Sequence, residues 1–311
     1  MLVSLLAVSK QVLILFILMG IGFICTKKKI FSEECMKGIS EFVLHFVTPC
    51  VIIKSFHREY DPSLIDHLGI SALTALLIYI GSILLTYLIL HEANPDKDKV
   101  MRYGAIFSNC GYMALPLQQA LCGDDGVFFG AAYIAVYNLV SWTYGYMMMS
   151  GERKITFKKL ILNPGVIGIS IGMIFFLTPL KLPEPIFQCV THLANLNTPM
   201  PMIIIGFYLA GITDFSFLKS IKFVIVIFLR MIFYPMITLG ILLLCKMPAE
   251  VLVPMIMATS APCAANTTVF SLKFNRDTKL ATALVSITTL LSIITMPLIV
   301  SLAMLWSGFS F

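Results

Sequence analysis

Two short stretches of this chain place amides, prolines and small residues where a lipid-facing helix would carry only hydrocarbon. The first is Ser108–Asn109–Cys110–Gly111–Tyr112–Met113–Ala114–Leu115–Pro116. The second is Ala258–Thr259–Ser260–Ala261–Pro262–Cys263–Ala264–Ala265–Asn266–Thr267–Thr268. Proline has no N–H and clashes with the turn before it, so neither stretch suits a continuous helix. Backbone groups freed in hydrocarbon persist only when buried in protein or facing a water-filled cavity. One such stretch reads as an ordinary proline kink packed on its neighbours. Two, about 150 residues apart in a chain of 311, match the paired interrupted segments that form midplane sites in repeat-built transporters. The chemistry they offer is anion recognition. Helix N-termini resuming after each break, the first with Pro116 in its first turn and the second opened by Pro262 and the Ala264–Ala265–Asn266 after it, carry about half a positive charge each. Their free N–H groups seat a carboxylate, and Asn109 and Asn266 add amide donors. With Gly111 in the first break, these residues form the candidate substrate-binding set.

The elements that must position them are membrane spans. The chain is 59% hydrophobic and 12% charged, with a mean hydropathy of +0.93, more apolar surface than a soluble domain of this size needs. Hydropathy predicts an all-α polytopic membrane protein. Its ten spans fall at about 3–25, 36–55, 66–90, 100–122, 127–149, 161–178, 185–211, 217–245, 249–272 and 280–306. The first span is too long for a cleaved signal and is followed at once by Lys27–Lys28–Lys29. With the N-terminus outside, sixteen of the 22 Lys and Arg residues fall in inward loops and four in outward loops. That bias predicts extracytoplasmic termini in a cell-membrane protein. The net charge of +6 then reports topology, and no nucleic-acid motif accompanies it. The eight cysteines are scattered singly, without ligand spacing. Neither a metal site, a cofactor nor a disulfide framework is expected.

Landmarks recur in the same order in both halves. Thr48–Pro49 returns as Thr198–Pro199, and Asp61–Pro62–Ser63–Leu64 as Asp214–Phe215–Ser216–Phe217–Leu218. The reading is a first five-helix repeat at 1–150, a basic cytoplasmic connector at 151–159 and a second repeat at 160–311. Five is odd, so the halves must cross the membrane in opposite senses, and the broken fourth and ninth spans cross antiparallel where each is unwound.

Other polar groups lie inside the spans. Asn138 follows the first break by one span and reads either as interhelical glue or as a substrate contact. Arg230, deep in the eighth span, reads as snorkelling or as a cap on carbonyls freed by Pro235, with substrate contact or gating as the rival role. His45 and His192 precede the two Thr-Pro breaks and read as packing groups or proton carriers. All sixteen acidic residues fall in loops or near span ends apart from Glu41. Coupling through a buried carboxylate is therefore disfavoured.

At these residues the chain resembles the auxin efflux carrier family, which includes bacterial malate and malonate permeases and plant PIN auxin exporters. The likeness covers essentially the whole chain. It is strongest at Asn109–Cys110–Gly111–Tyr112–Met113–Ala114–Leu115–Pro116 and from Ala261–Pro262 through Ser292–Ile293–Ile294–Thr295–Met296–Pro297. Ala114 stands where the family usually has Gly. The resemblance implies a ten-helix fold like that of bile-acid symporters and NhaA-type antiporters. Spans 1, 2, 6 and 7 would form a scaffold, the other six a transport domain moving as an elevator, and the protein a homodimer. In plant members the crossover Asn and an Asn of the fifth span bind the substrate carboxylate, and Asn109 and Asn138 match those places. The expectation is a secondary transporter of small organic anions, such as malate-, malonate- or auxin-like carboxylates. The alternatives are a sodium-coupled anion symporter and a non-transporting membrane sensor. Membrane lipid and the anion are the expected partners. An enzyme is not expected, since His91–Glu92–Ala93–Asn94–Pro95 lacks the second His of a zinc-protease motif.

Overall fold

A computed structural model describes residues 2–151, 164–211 and 216–309. The basic connector beyond Gly151 and the Asp214–Phe215 landmark lie outside the described residues. Among those described, the chain is all helical with no strand. Seven helical stretches are long and apolar enough to cross a bilayer. They belong to α1 (Leu2–Lys27), α2 (Glu33–Phe56), α3 (Pro62–Ile89), α5 (Cys110–Ser150), α7 (Glu184–Ala210), α8 (Ile221–Leu244) and α11 (Thr278–Ser307). Between them lie α4 (Pro95–Ile106), α6 (Pro164–Leu177), α9 (Ala249–Ser260) and the eight-residue α10 (Asn266–Lys273). A 12-residue helix such as α4 or α9 reaches only about 18 Å, little more than half the hydrocarbon core. Each therefore serves as half of an interrupted segment.

Proline placement explains most of the irregularity. A wide π turn occupies Val43–Val47 ahead of Pro49, Cys110–Ala114 ahead of Pro116, and Leu229–Phe233 ahead of Pro235. A proline ring clashes with the carbonyl four residues back, and one wider turn relieves that clash without ending the helix. The second Thr-Pro landmark is resolved differently. Ahead of Thr198–Pro199 the chain tightens into a single 3₁₀ turn, Asn195–Asn197.

The 41-residue α5 would be about 60 Å long if straight, twice the bilayer core. It folds back at Gly123, whose φ of 62° and ψ of −148° suit only glycine among common residues. A side chain on Gly130 would collide with the Gln118 amide, although in a straight helix these positions stand about 18 Å apart. The gap between the spans expected at 100–122 and 127–149, Gly123–Asp124–Asp125–Gly126, is this hairpin.

Helices α1, α2, α6 and α7 pack largely on one another, α1 on α7 and α2 on both α6 and α7. The α1–α7 approach is backbone to backbone: side chains on Gly22 or Gly206 would strike the Ile203 and Met19 carbonyls respectively. Helices α3, α4, α5 and α8 to α11 form the second group, with α5 and α9 at its centre. Apolar side chains on the outer faces of α1, α3 and α8 are exposed, as a hydrocarbon solvent requires.

Candidate functional site at the crossing of two broken helices

The two interrupted segments meet. α4 ends at Ile106, and Phe107 turns extended; α9 ends at Ser260, and Ala261 does the same. Ser108 and Cys263 then form an antiparallel bridge. The Asn109 N–H donates to the Pro262 carbonyl at 2.7 Å, and the Ala264 N–H donates to the Phe107 carbonyl at 2.9 Å. The Cys263 N–H donates to the Thr288 hydroxyl of α11 at 3.1 Å. Backbone groups that would be unpaired in lipid thus satisfy one another.

Arg230 reaches this crossing from α8 and is 2% exposed. Its guanidinium donates to the carbonyls of Ile106 at 3.1 Å and Ala105 at 3.5 Å, and to that of Thr259. These carbonyls close the C-termini of α4 and α9, the negative ends of the two half-helices. The capping role expected from sequence holds, but the carbonyls are not those freed by Pro235; they come from the two helices that break at the crossing. One cation neutralises both negative ends, so the positive N-termini of α5 and α10 dominate what remains.

Polar groups without partners gather at the same place. The Asn109 Nδ2 is buried and unpaired, as are the hydroxyls of Ser108 and Thr267. Gly111 faces open space: a Cβ built there would meet nothing within 4 Å. Asn266 Nδ2 donates to the Tyr137 hydroxyl at 3.0 Å, so this amide is engaged by the second limb of α5. Asn138 follows Tyr137 and is buried. An aromatic wall flanks the bridge: the Phe107 ring lies 4.4 Å from Tyr103, 5.7 Å from Tyr79 and 6.0 Å from Tyr137. The Tyr79 hydroxyl is buried without a partner.

Other sequence candidates fall elsewhere. His45 and His192 are solvent- or lipid-exposed, and the His45 Nδ1 pairs with the Glu41 carbonyl at 2.9 Å; neither joins the crossing. Pro262 lies in the extended bridge, and α10 starts only at Asn266, so Pro262 does not open that helix. Pro116 stands at the second position of the α-helical part of α5, but helical winding resumes earlier, at Cys110. The aromatic wall and Gln118, whose Nε2 donates to the Pro254 carbonyl at 2.9 Å, were not expected. A sequence signal for the wall is the four-residue spacing of Tyr103 and Phe107, which ordinary packing also produces. Among the described residues no group of three or more His, Cys, Asp or Glu is placed to hold a metal ion.

Comparison with known families decides the class. A family model described as membrane transport protein matches residues 7–300. The chain belongs to that family, the auxin efflux carriers. Among curated proteins, an uncharacterized transporter of Methanocaldococcus jannaschii is 22% identical over 304 residues, covering 92% of this chain and 96% of that one. For an auxin efflux carrier family member the helical architecture and exposed apolar faces are those of a multi-pass membrane protein. The crossing is then the natural place to look for its substrate.

Proposed function

We propose that this protein is a secondary transporter of small organic anions, working by alternating access with the crossing as its substrate seat. The observation that carries this reading is the division of charge at the bridge. Arg230 neutralises the two C-terminal ends, leaving two N-terminal ends and the unpartnered Asn109 amide to face a guest. Such a field favours a carboxylate and repels a cation. Gly111 leaves space beside Asn109, and the aromatic wall suits an apolar or ring-bearing body on the anion.

Contacts between loops support the ten-crossing, inverted-repeat arrangement. Lys54 and Arg58 after the second span pair with Asp124 at 3.3 Å and Asp125 at 2.5 Å in the α5 hairpin. His57 accepts from the Leu182 N–H at 3.0 Å, joining the loop after α6 to the same end. At the opposite end Lys222 pairs with Glu92 at 3.1 Å, and Arg276 pairs with Asp96 at 2.6 Å. Arg276 also donates to the Met149 carbonyl at 2.8 Å. The first set collects the loops read as outward, the second those read as inward. The two packing groups, α1, α2, α6 and α7 against the rest, are the division an elevator movement needs. Pairing of scaffold groups into a homodimer is part of this reading.

The test is solid-supported-membrane current across a panel of malonate, malate, acetate and indole-3-acetate. Wild-type proteoliposomes carry current with at least one of these, and Asn109→Ala weakens its apparent affinity at least tenfold, as loss of a hydrogen bond to a charged group predicts. Equal currents from both proteins would remove Asn109 from the seat.

A further inference from the structure

The C-terminal half of α8 packs chiefly on α9 and α11; toward α3 it leaves a groove of about 170 Å³. Leu77, Gly81 and Leu85 of α3 line one side and Ile237, Ile241 and Leu242 of α8 the other. The floor is polar but closed on itself. There the Tyr234 hydroxyl lies 2.6 Å from that of Thr86, which donates to the Ser82 carbonyl. Gly81 keeps the groove open, since a Cβ built there would meet nothing within 4 Å. Leu77 and Ile241 on the rim are 59% and 53% exposed, so the groove gives onto the outer face that a bilayer covers. An apolar cavity of about 150 Å³ stays dry and takes up benzene. Left unfilled, such walls forfeit their dispersion contacts.

Length and charge say what fits. On α8 the groove runs from Tyr234, near the middle of Ile221–Leu244, to Cys245 just past its end. That length of helix rises about 16 Å, half of a hydrocarbon core of about 30 Å. A groove one leaflet deep matches one lipid chain. Exposed Lys246 stands at its mouth, where a φ of 51° ends the helix. The Leu242 and Leu243 carbonyls already accept from the Met247 and Lys246 N–H groups, so the helix end makes no claim on the ammonium. Glu250, the nearest carboxylate in sequence, faces His67 of α3 at 3.9 Å instead. We propose that this groove is a resident phospholipid site. One acyl chain lies between α3 and α8 down to Tyr234, and the lipid phosphate sits at Lys246, since basic side chains at a membrane surface attract such headgroups. The chain supplies packing that the two helices lack above Tyr234. The site is apart from the crossing and holds whether or not Asn109 binds an anion.

Photo-crosslinking in liposomes tests the proposal. Full-length protein is reconstituted with phosphatidylglycerol carrying a diazirine near the end of one acyl chain, or with a diacylglycerol of the same chains, and adducts are mapped by peptide mass spectrometry. In wild type, phosphatidylglycerol adducts at 81–85 and 234–238, the floor, exceed several-fold those at Leu13 and Ile17 on the apolar outer face of α1, which are 60% and 56% exposed. Gly81→Phe fills the groove and cuts the floor adducts several-fold without changing those on α1. Ile241→Trp, at the exposed rim, does the same should Gly81→Phe fail to fold. Lys246→Glu lowers the phosphatidylglycerol adducts and leaves the diacylglycerol adducts unchanged. Floor adducts no denser than those on α1, or undiminished in both groove-filling variants, overturn the site. An equal response of the two lipids to Lys246→Glu overturns the phospholipid assignment. Floor adducts that vanish as the protein content of each vesicle rises assign the groove to a second copy of the chain and likewise overturn it.

Discussion

Arg230 donates to carbonyls from two different helices, so its removal unpairs both at once. Arg230→Met is expected to lower stability by about 3 kcal/mol or more, in the range for stripping one partner from a buried charged contact. Arg230→Lys recovers only part of this, because one ammonium cannot copy a planar fork that spans two helix ends. Thermal midpoints in detergent measure both; a wild-type midpoint in Arg230→Met would contradict the capping role. Asn109 and Arg230 were legible in the sequence because an amide or a charge stands out against hydrocarbon. The partners of Arg230 were not, because the carbonyls it caps belong to residues more than a hundred positions upstream and about thirty downstream. Tyr79, Tyr103 and Tyr137 were missed for another reason. An aromatic ring inside an apolar span carries the same sequence signal whether it walls a site or fills a core.

At the scale of elements, the existence of the breaks could be read from Pro, Gly and Asn, but their exact positions could not. Pro116 was expected in the first turn of one resuming helix, and Pro262 with Ala264–Ala265–Asn266 was expected to open the other. In the fold, the π turn at Cys110–Ala114 absorbs the Pro116 clash, which moves the first break upstream to Phe107–Asn109. Pro262 instead supplies a carbonyl to the bridge and leaves helix initiation to Asn266. Pro116→Ala restores an N–H and removes the clash, allowing the wide turn to relax into ordinary α-helix and rotating Asn109 and Gly111 relative to the bridge. The expected result is normal yield and thermal midpoint with transport reduced at least tenfold. Full flux at normal yield would contradict it. The α5 hairpin at Gly123 was legible as a turn because Gly-Asp-Asp-Gly interrupts two apolar runs. The half-helices α4 and α9 read as parts of full spans, since hydropathy counts residues and does not see a break of three residues after Ile106 or of five after Ser260.

For the whole molecule, the loop contacts sort into two ends, and the cysteines provide a direct check of which end faces out. Cys35 and Cys245 are both exposed, and the ten-span reading places seven crossings between them, an odd number. In single-cysteine proteins on intact cells, an impermeant maleimide is expected to label Cys245. Cys35 should react only after permeabilisation. Labelling of both from outside would refute the crossing count, and the inverse pattern would refute the orientation. The crossing itself could be anticipated because the same landmarks recur about 150 residues apart in halves read as having five spans each. The meeting of Ser108 with Cys263 is what the proposed inverted symmetry would produce.

The claim on which all of this rests is that the crossing holds net positive character for an anionic guest. Inverting that character at one atom tests it most directly. Asn109→Asp keeps the shape of the side chain and puts a carboxylate where the guest's own carboxylate would sit. Currents are to be compared for wild type, Asn109→Ala and Asn109→Asp in proteoliposomes at equal protein content, with thermal midpoints as the folding control. Anion current should fall in Asn109→Ala and vanish in Asn109→Asp, with folding preserved in both. Undiminished anion current in a folded Asn109→Asp protein would contradict the account.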